Sequence, residues 1–237
     1  MMKEPITTVL FDLDGTLLPL EQDEFVRNYF GRLAAKLAPM GFEKEVLIKG
    51  ILAGMDAMVR NDGSKTNEAA FWEIFERLLD TKREQLEEVF LEFYQNEFDA
   101  VKEIVPAGLS HRALIDSLKS RGYQLVLATN PMFPKEAVAT RLSWVQLSFD
   151  DFSYVTTFDN SCHCKPSLEY YRNILQEIER QPEECVMIGN NALEDMVAEQ
   201  LGITVGLVTT NLENRNNFDV NQFTHGTLEE VVAALLS

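Results

Sequence analysis

Apolar and polar positions follow two different rhythms along this chain of 237 residues. Thr7-Thr8-Val9-Leu10 opens it as a short strand-like run. From about Pro19 to Val105 almost no β-rich run recurs, and apolar residues step at helical spacing instead. Phe25, Tyr29, Leu33 and Leu37 form one stripe, broken by Pro39-Met40-Gly41; Val46, Ile51, Met55 and Val59 form a second, closed by Asn61-Asp62-Gly63. Thr66 opens a third carrying Phe71, Phe75, Leu78 and Leu79. A Thr81-x-x-Glu84 capping box opens a fourth with Leu86, Phe90, Phe93 and Phe98. Such aromatic and methionine stripes predict helix-packing surfaces.

Beyond Pro106 the pattern alternates. Leu109 to Lys119 predicts a helix, and Gln124 to Thr129 a buried strand. Pro134 opens a helix to about Trp144, and Tyr154 to Phe158 reads as a short strand. Pro166 begins a helix through Ile178; Cys185 to Ile188 is a strand followed by a helix to Leu201; Ile203 to Val208 is a further strand. Thr227-x-x-Glu230 caps a closing helix. Strands alternating with helices imply right-handed crossovers and a parallel sheet covered on both faces. The expected architecture is α/β: a Rossmann-like parallel-sheet core of residues 1–17 and 106–237, with an α-helical module of residues 18–105 inserted after the first strand.

In such sheets ligands bind at the carboxyl ends of the strands, and there the polar residues gather. The first strand runs into Phe11-Asp12-Leu13-Asp14-Gly15-Thr16-Leu17-Leu18. Strand alternation places Asp12 and Asp14 on one side, and Gly15 permits a sharp turn beyond them. Two acids so close repel unless a cation lies between them or one holds a proton, which invites an oxygen-loving ion such as Mg²⁺. An Asx-rich turn is the plainer reading of the pair alone. The second strand delivers Thr129-Asn130, a hydroxyl and an amide suited to phosphoryl oxygens. The third is followed by Cys164-Lys165-Pro166-Ser167, where Pro166 at the first helical position would set Lys165 beside a helix N-terminus. The fourth ends in Gly189-Asn190-Asn191-Ala192-Leu193-Glu194-Asp195, two carboxamides followed by two acids. Four such features at successive strand ends, in order, argue for one site.

Composition narrows the partners. A formal net charge of −17 opposes binding to nucleic acid or an anionic membrane, so an anionic substrate must be drawn in by local donors and metal. No apolar run approaches the ~20 residues of a membrane span. The start MMKEPITTVLF lacks the long apolar core and cleavage site of a signal peptide. The three cysteines, Cys162, Cys164 and Cys185, form no disulfide framework. A cytoplasmic location is therefore expected; oligomeric state is not legible. Cys162-His163-Cys164 is too tightly spaced for a zinc knuckle, and the chain has no second ligand pair.

FDLDGTLL resembles the first motif of the haloacid-dehalogenase (HAD) phosphohydrolases, and the later strand ends match that family's other three motifs in order. The resemblance covers nearly the whole chain. It implies a Mg²⁺-dependent phosphomonoester hydrolase acting on a small phosphorylated metabolite through an aspartyl-phosphate. By position, Asp12 falls on the nucleophile, Asp14 on the acid/base, Thr129 on the second-motif hydroxyl and Lys165 on the third-motif lysine. Thr129, Asn130 and Lys165 would bind phosphate; Asp12, Asp14, Asn190, Glu194 and Asp195 would supply the metal site. The inserted helices resemble the cap of the phosphoglycolate phosphatase and β-phosphoglucomutase subgroup. The departure is Gly189-Asn190, where the family usually has Gly-Asp. Asp14 disfavours a carbon–halogen-cleaving enzyme, whose leaving group needs no proton. A sugar phosphomutase and a non-catalytic binding protein of the same fold remain the alternatives. Lys36, Arg60, Lys65 and Asn67 are polar candidates for contacting substrate.

Overall fold

The computed structural model describes residues 5–236. Its centre is strand β1, Thr8–Phe11, every residue of which is buried. A run of β-branched and apolar residues without polar alternation suits a strand covered on both faces. β2 (Gln124–Leu127), β3 (Tyr154–Val155), β4 (Cys185–Gly189), β5 (Thr204–Val208) and β6 (Thr224–Gly226) join it in one parallel sheet of order β3-β2-β1-β4-β5-β6. Chain order reverses about β1, so its carboxyl end is a switch point. Phe11 lies level with Leu127 of β2 and Ile188 of β4. The residues that follow on all three strands therefore emerge together.

Both faces of the sheet are packed. Val9, Phe11, Leu125, Leu127, Val186 and Ile188 join one apolar cluster with α5 (Arg112–Ser120), α6 (Lys135–Trp144) and α8 (Leu228–Leu236). Leu10, Val126, Met187 and Val205 point the other way, onto α7 (Leu168–Glu177) and the 3-10 helix Met196–Leu201. Between β1 and α5 the chain forms α1 (Gln22–Leu37), α2 (Lys44–Val59), α3 (Asn67–Leu79) and α4 (Arg83–Asn96), then the 3-10 helix Phe98–Ile104. The first cluster continues from the sheet through Phe25, Tyr29 and Phe98 into these helices, and α4 packs on α6.

Several local expectations change. The α2 stripe that is buried runs through Leu47, Ile51 and Met58, leaving Val46 and Val59 exposed. The box at Thr81 and Glu84 does not form. Lys82 is the N-cap, Thr81 bonds Gln85, and Glu76 turns back to accept from the Arg83 amide. The helix start at Thr66 and the box at Thr227 fare better: Thr66 accepts from the Ala69 amide, and Thr227 and Glu230 cap each other. α7 is capped by Ser167, so Pro166 lies outside it. After β4 only the 3-10 helix forms. Asn191 and Asp195 side chains bind nearby amides there, which competes with helical hydrogen bonding. No helix among the described residues is long and apolar enough to cross a membrane.

Candidate active site

Three strand ends build the floor of a cleft. Asp12 follows β1, with its amide donating to Ile188 at 2.9 Å. Thr129 and Asn130 follow β2, and Asn190 follows β4. Two glycines allow this crowding. Gly15 turns the chain with φ +82°, and a Cβ on it would strike the Asn190 amide; a Cβ on Gly189 would strike the Asp195 carboxylate.

Lys165 enters from the loop between β3 and α7 and is the centre of the charge arrangement. Its Nζ lies 2.8 Å from Asp12 Oδ1 and 2.6 Å from Asp195 Oδ1, and the residue is 2% exposed. Burial alone would push the ammonium's pKa down; the two carboxylates override that and hold it well above its ordinary value. Asp12 Oδ2 accepts from the Thr16 hydroxyl at 3.2 Å, so both carboxylate oxygens are pinned. Asp195 Oδ2 accepts from the Asn191 amide at 2.9 Å. Burial pushes the Asp195 carboxyl up, against the pull of Lys165.

Asp14 projects beside this row and pairs with Arg141, a fully buried residue of α6 that sequence reasoning missed. Arg141 also stacks over the Phe133 ring at 4.3 Å. Asp14 Oδ1 and Arg141 Nη2 are buried with no partner among the described residues. Burial raises the Asp14 pKa while the guanidinium opposes that rise. The signal for Arg141 was an arginine on the apolar face of Ala137, Val138 and Leu142, where a solvated charge has no place.

Thr129 lines the cleft, with its carbonyl held by Thr156 at 2.7 Å and Tyr170 at 2.9 Å. Asn130 is less free than its sequence position suggests. Its Oδ1 accepts from the Lys165 amide at 3.3 Å and its Nδ2 donates to Glu194 Oε2 at 3.0 Å. The side chain therefore ties three loops together, with one of its two amide N–H donors committed to Glu194. The four polar candidates on the helices also lie elsewhere. Lys36 pairs with Glu92 and Glu97, Arg60 with Asp56, and Lys65 with Glu73. Asn67 is wholly buried, donating to the Pro131 carbonyl at 3.2 Å while its amide bonds Ser161 at 2.8 Å. It clasps the start of α3 to the loops that carry Thr129 and Lys165.

No three His, Cys, Asp or Glu side chains converge as a metal cluster among the described residues. The reason is Lys165, which separates Asp12 from Asp195. Other oxygens do converge. Asn190 donates Nδ2 to the Asn211 carbonyl at 2.6 Å, which turns its Oδ1 toward the Thr16 hydroxyl at 3.3 Å. Thr16 has one proton for two acceptors, Asp12 Oδ2 and Asn190 Oδ1, so one of them stays available. The Asp14 carbonyl accepts no hydrogen bond from the described backbone outside regular elements. Glu194 stands at the rim, pushed up to about 7 by burial. Such an all-oxygen donor set fits a hard cation such as Mg²⁺, with less formal charge than an acid at position 190 would give.

A carboxylate–lysine–carboxylate row lies at the switch point of a doubly wound parallel α/β sheet. The chain belongs to the haloacid dehalogenase-like hydrolase family, whose model matches residues 6–202. Pyrophosphatase PpaX of Bacillus thuringiensis (strain Al Hakam) is 25% identical over 210 residues, covering 89% of this chain and 86% of that one. A HAD phosphatase from Thermococcus onnurineus superposes with TM-score 0.61 at 22% identity, covering 98% of each chain. The HAD-hydrolase YfnB from Bacillus subtilis, bound to magnesium, superposes with TM-score 0.55 at 19% identity over 99% of this chain and 100% of that one. The two structural likenesses are likenesses of fold.

Proposed function

We propose that this hydrolase is a Mg²⁺-assisted phosphatase that cleaves a small phosphorylated metabolite through an aspartyl-phosphate on Asp12. The observation that carries the reading is the buried Lys165 ammonium bridging Asp12 and Asp195 at the floor of a cleft. It is the cationic anchor an anionic phosphoryl group needs beside a carboxylate nucleophile. Related proteins named as a pyrophosphatase and a HAD phosphatase support the reaction class.

Asp12 Oδ2, Asn190 Oδ1 and the Asp14 carbonyl would hold Mg²⁺, with Glu194 at the rim. When bound, the ion neutralises charge on the phosphoryl oxygens and so lets a carboxylate approach them. Lys165 and Thr16 fix the rotation of the Asp12 carboxylate, and the Thr129 hydroxyl would donate to a phosphoryl oxygen. Asp12 attacks phosphorus, the bond to the leaving oxygen breaks, and Asp14 gives that oxygen its proton. Water then attacks phosphorus in the acyl phosphate, returns a proton to Asp14 and frees Asp12. Burial lets Asp14 keep a proton, while Arg141 stabilises the carboxylate left behind; the opposing pulls suit a group that must both donate and accept. Residues 18–105 act as a helical cap over a core of residues 1–17 and 106–237.

Phosphate release from p-nitrophenyl phosphate tests this. Wild-type protein with Mg²⁺ should turn over, and a chelator should stop it. Asp12→Asn should lose at least ~10³-fold of the rate while unfolding at a similar denaturant concentration. Wild-type turnover by Asp12→Asn would remove the covalent mechanism. No turnover of any phosphate ester by wild type would favour a non-catalytic binding protein.

A further inference from the structure

The cleft has a second end that the reaction does not use. Opposite the acidic floor, Phe25, Tyr29, Phe30 and Met55 of the inserted helices meet Met132 and Phe133 of the core. The rings pack against one another: Phe133 lies edge-on to Tyr29 at 5.4 Å and to Phe25 at 5.9 Å. The Tyr29 hydroxyl is 2.6 Å from that of Tyr94, so this tyrosine's polar atom already has a partner. Lys165 and Arg141 lie behind the lining, the latter 4.3 Å from the Phe133 ring, and both are already committed to Asp12, Asp195 and Asp14; no lysine or arginine side chain lines the cleft itself among the described residues. Toward the mouth, Arg215 is exposed and lies 3.3 Å from Glu213 and 3.7 Å from Asp23.

Whereas a leaving group that reached the mouth would meet Gln22, Asn191 and Glu213, one that reaches inward from the phosphoryl site leaves water against this wall. A carboxylate or second phosphate placed there would find no counter-charge, and sugar hydroxyls would find few partners. An aromatic or branched aliphatic group loses nothing by desolvation and stacks on the rings. The whole cleft, acidic floor included, holds about 140 Å³, less than the ~150 Å³ of an apolar cavity that admits benzene, so beside a phosphoryl group the leaving group can be no larger than about one ring.

We infer that the leaving group is uncharged and apolar, of about the size of one ring, so that the substrate is an aryl, benzyl or short alkyl phosphate monoester. This rests on the phosphatase reading of the same site. The products are the free alcohol or phenol and inorganic phosphate, with water supplying the new oxygen on phosphorus and the proton on the alcohol.

Specificity constants of the full chain with Mg²⁺ test the inference. Benzyl phosphate and glycerol 3-phosphate are both primary alkyl esters with leaving alcohols of comparable acidity, so their ratio reports the pocket and not the chemistry. Benzyl phosphate should be favoured by about 10²-fold in kcat/KM, and pyrophosphate and phosphoglycolate should be poorer still. Met55→Lys, at a half-buried position on the wall, should cut the benzyl preference by roughly tenfold and improve pyrophosphate relative to benzyl phosphate. Equal constants for the two alkyl esters, or a preference for a charged leaving group, would overturn the apolar assignment and leave the phosphatase intact. Absence of phosphate release from all four compounds and from p-nitrophenyl phosphate would instead remove the phosphatase reading and this inference with it.

Discussion

The floor of the cleft is a closed set of charges, in which Lys165 faces Asp12 and Asp195, and Arg141 faces Asp14. Its roof is a set of rings and thioethers whose few polar atoms are tied to one another. The two surfaces also differ in what holds them. Floor residues hang from strand ends whose register is fixed by β1 pairing with β2 and β4. Most roof residues stand on α1 and α2, placed by packing, α2 on α3 and α1 on the 3-10 helix Phe98–Ile104, and by the Asn67 clasp, while Met132 and Phe133 come from the loop after β2. Chemistry is thus concentrated where the backbone is most constrained, and selectivity where packing can vary.

Removing the central cation should separate the two regions most sharply. Lys165→Met leaves Asp12 and Asp195 buried without a counter-charge, and should cost about 3–5 kcal/mol of stability as well as activity. Urea unfolding measures it. A loss below about 1 kcal/mol would mean that the carboxylates take up protons or water without strain, and that the floor is less tightly coupled than its geometry implies.

Asn190→Asp probes the same floor from its neutral corner. A carboxylate cannot donate to the Asn211 carbonyl, 2.6 Å from Asn190 Nδ2, and would face that oxygen. Without metal the variant should lose about 1–3 kcal/mol, and Mg²⁺ should restore much of it while saturating at lower concentration than in wild type. A melting temperature unmoved by Mg²⁺ in both proteins would argue that position 190 does not face the ion.

Away from the cleft, Asp151 provides a pH-dependent contrast. Arg112 holds it at 2.7 Å, with help from the Ser148 amide at 2.9 Å, and this keeps its carboxyl well below the usual range against the cost of burial. A depressed carboxylate stabilises above its unfolded pKa of about 4 and loses that contribution as pH falls toward its folded value. Asp151→Asn should therefore cost about 1–2 kcal/mol at pH 7. Its deficit should shrink steadily below pH ~4, as read by denaturant unfolding across pH. A deficit constant with pH would assign it to packing.

The smallest effects lie in the inserted helices. Thr66→Ala removes a cap that accepts from Ala69 at 3.2 Å and should cost about 1 kcal/mol, whereas Thr81→Ala, where no box forms, should stay within ~0.5 kcal/mol in the same unfolding assay. Equal costs would show that the sequence pattern, not the observed capping, predicts helix starts here.

That last pair shows where sequence was informative. The parallel sheet, the helical insertion and the residues at each strand end were legible, because strand periodicity and turn residues act locally. Arg141 was hidden because its partner, Asp14, is 127 residues away. The commitment of Asn130 to Lys165 and Glu194 depends likewise on three loops meeting. β6 was missed because Thr224-His225-Gly226 is a short, largely exposed edge with little apolar signal. The helix expected after β4 gave way to side-chain bonds from Asn191 and Asp195 that propensity does not foresee.

The covalent mechanism requires that Asp12 carry the phosphoryl group during turnover. Mixing the protein with p-nitrophenyl phosphate, quenching in acid within one turnover and mapping peptides by mass spectrometry measures this directly. A phosphoryl group on the peptide containing Asp12, removed by hydroxylamine and absent from Asp12→Asn, is the expected result. Rapid phosphate release with no modified peptide at any quench time, or a label on another residue, would contradict it.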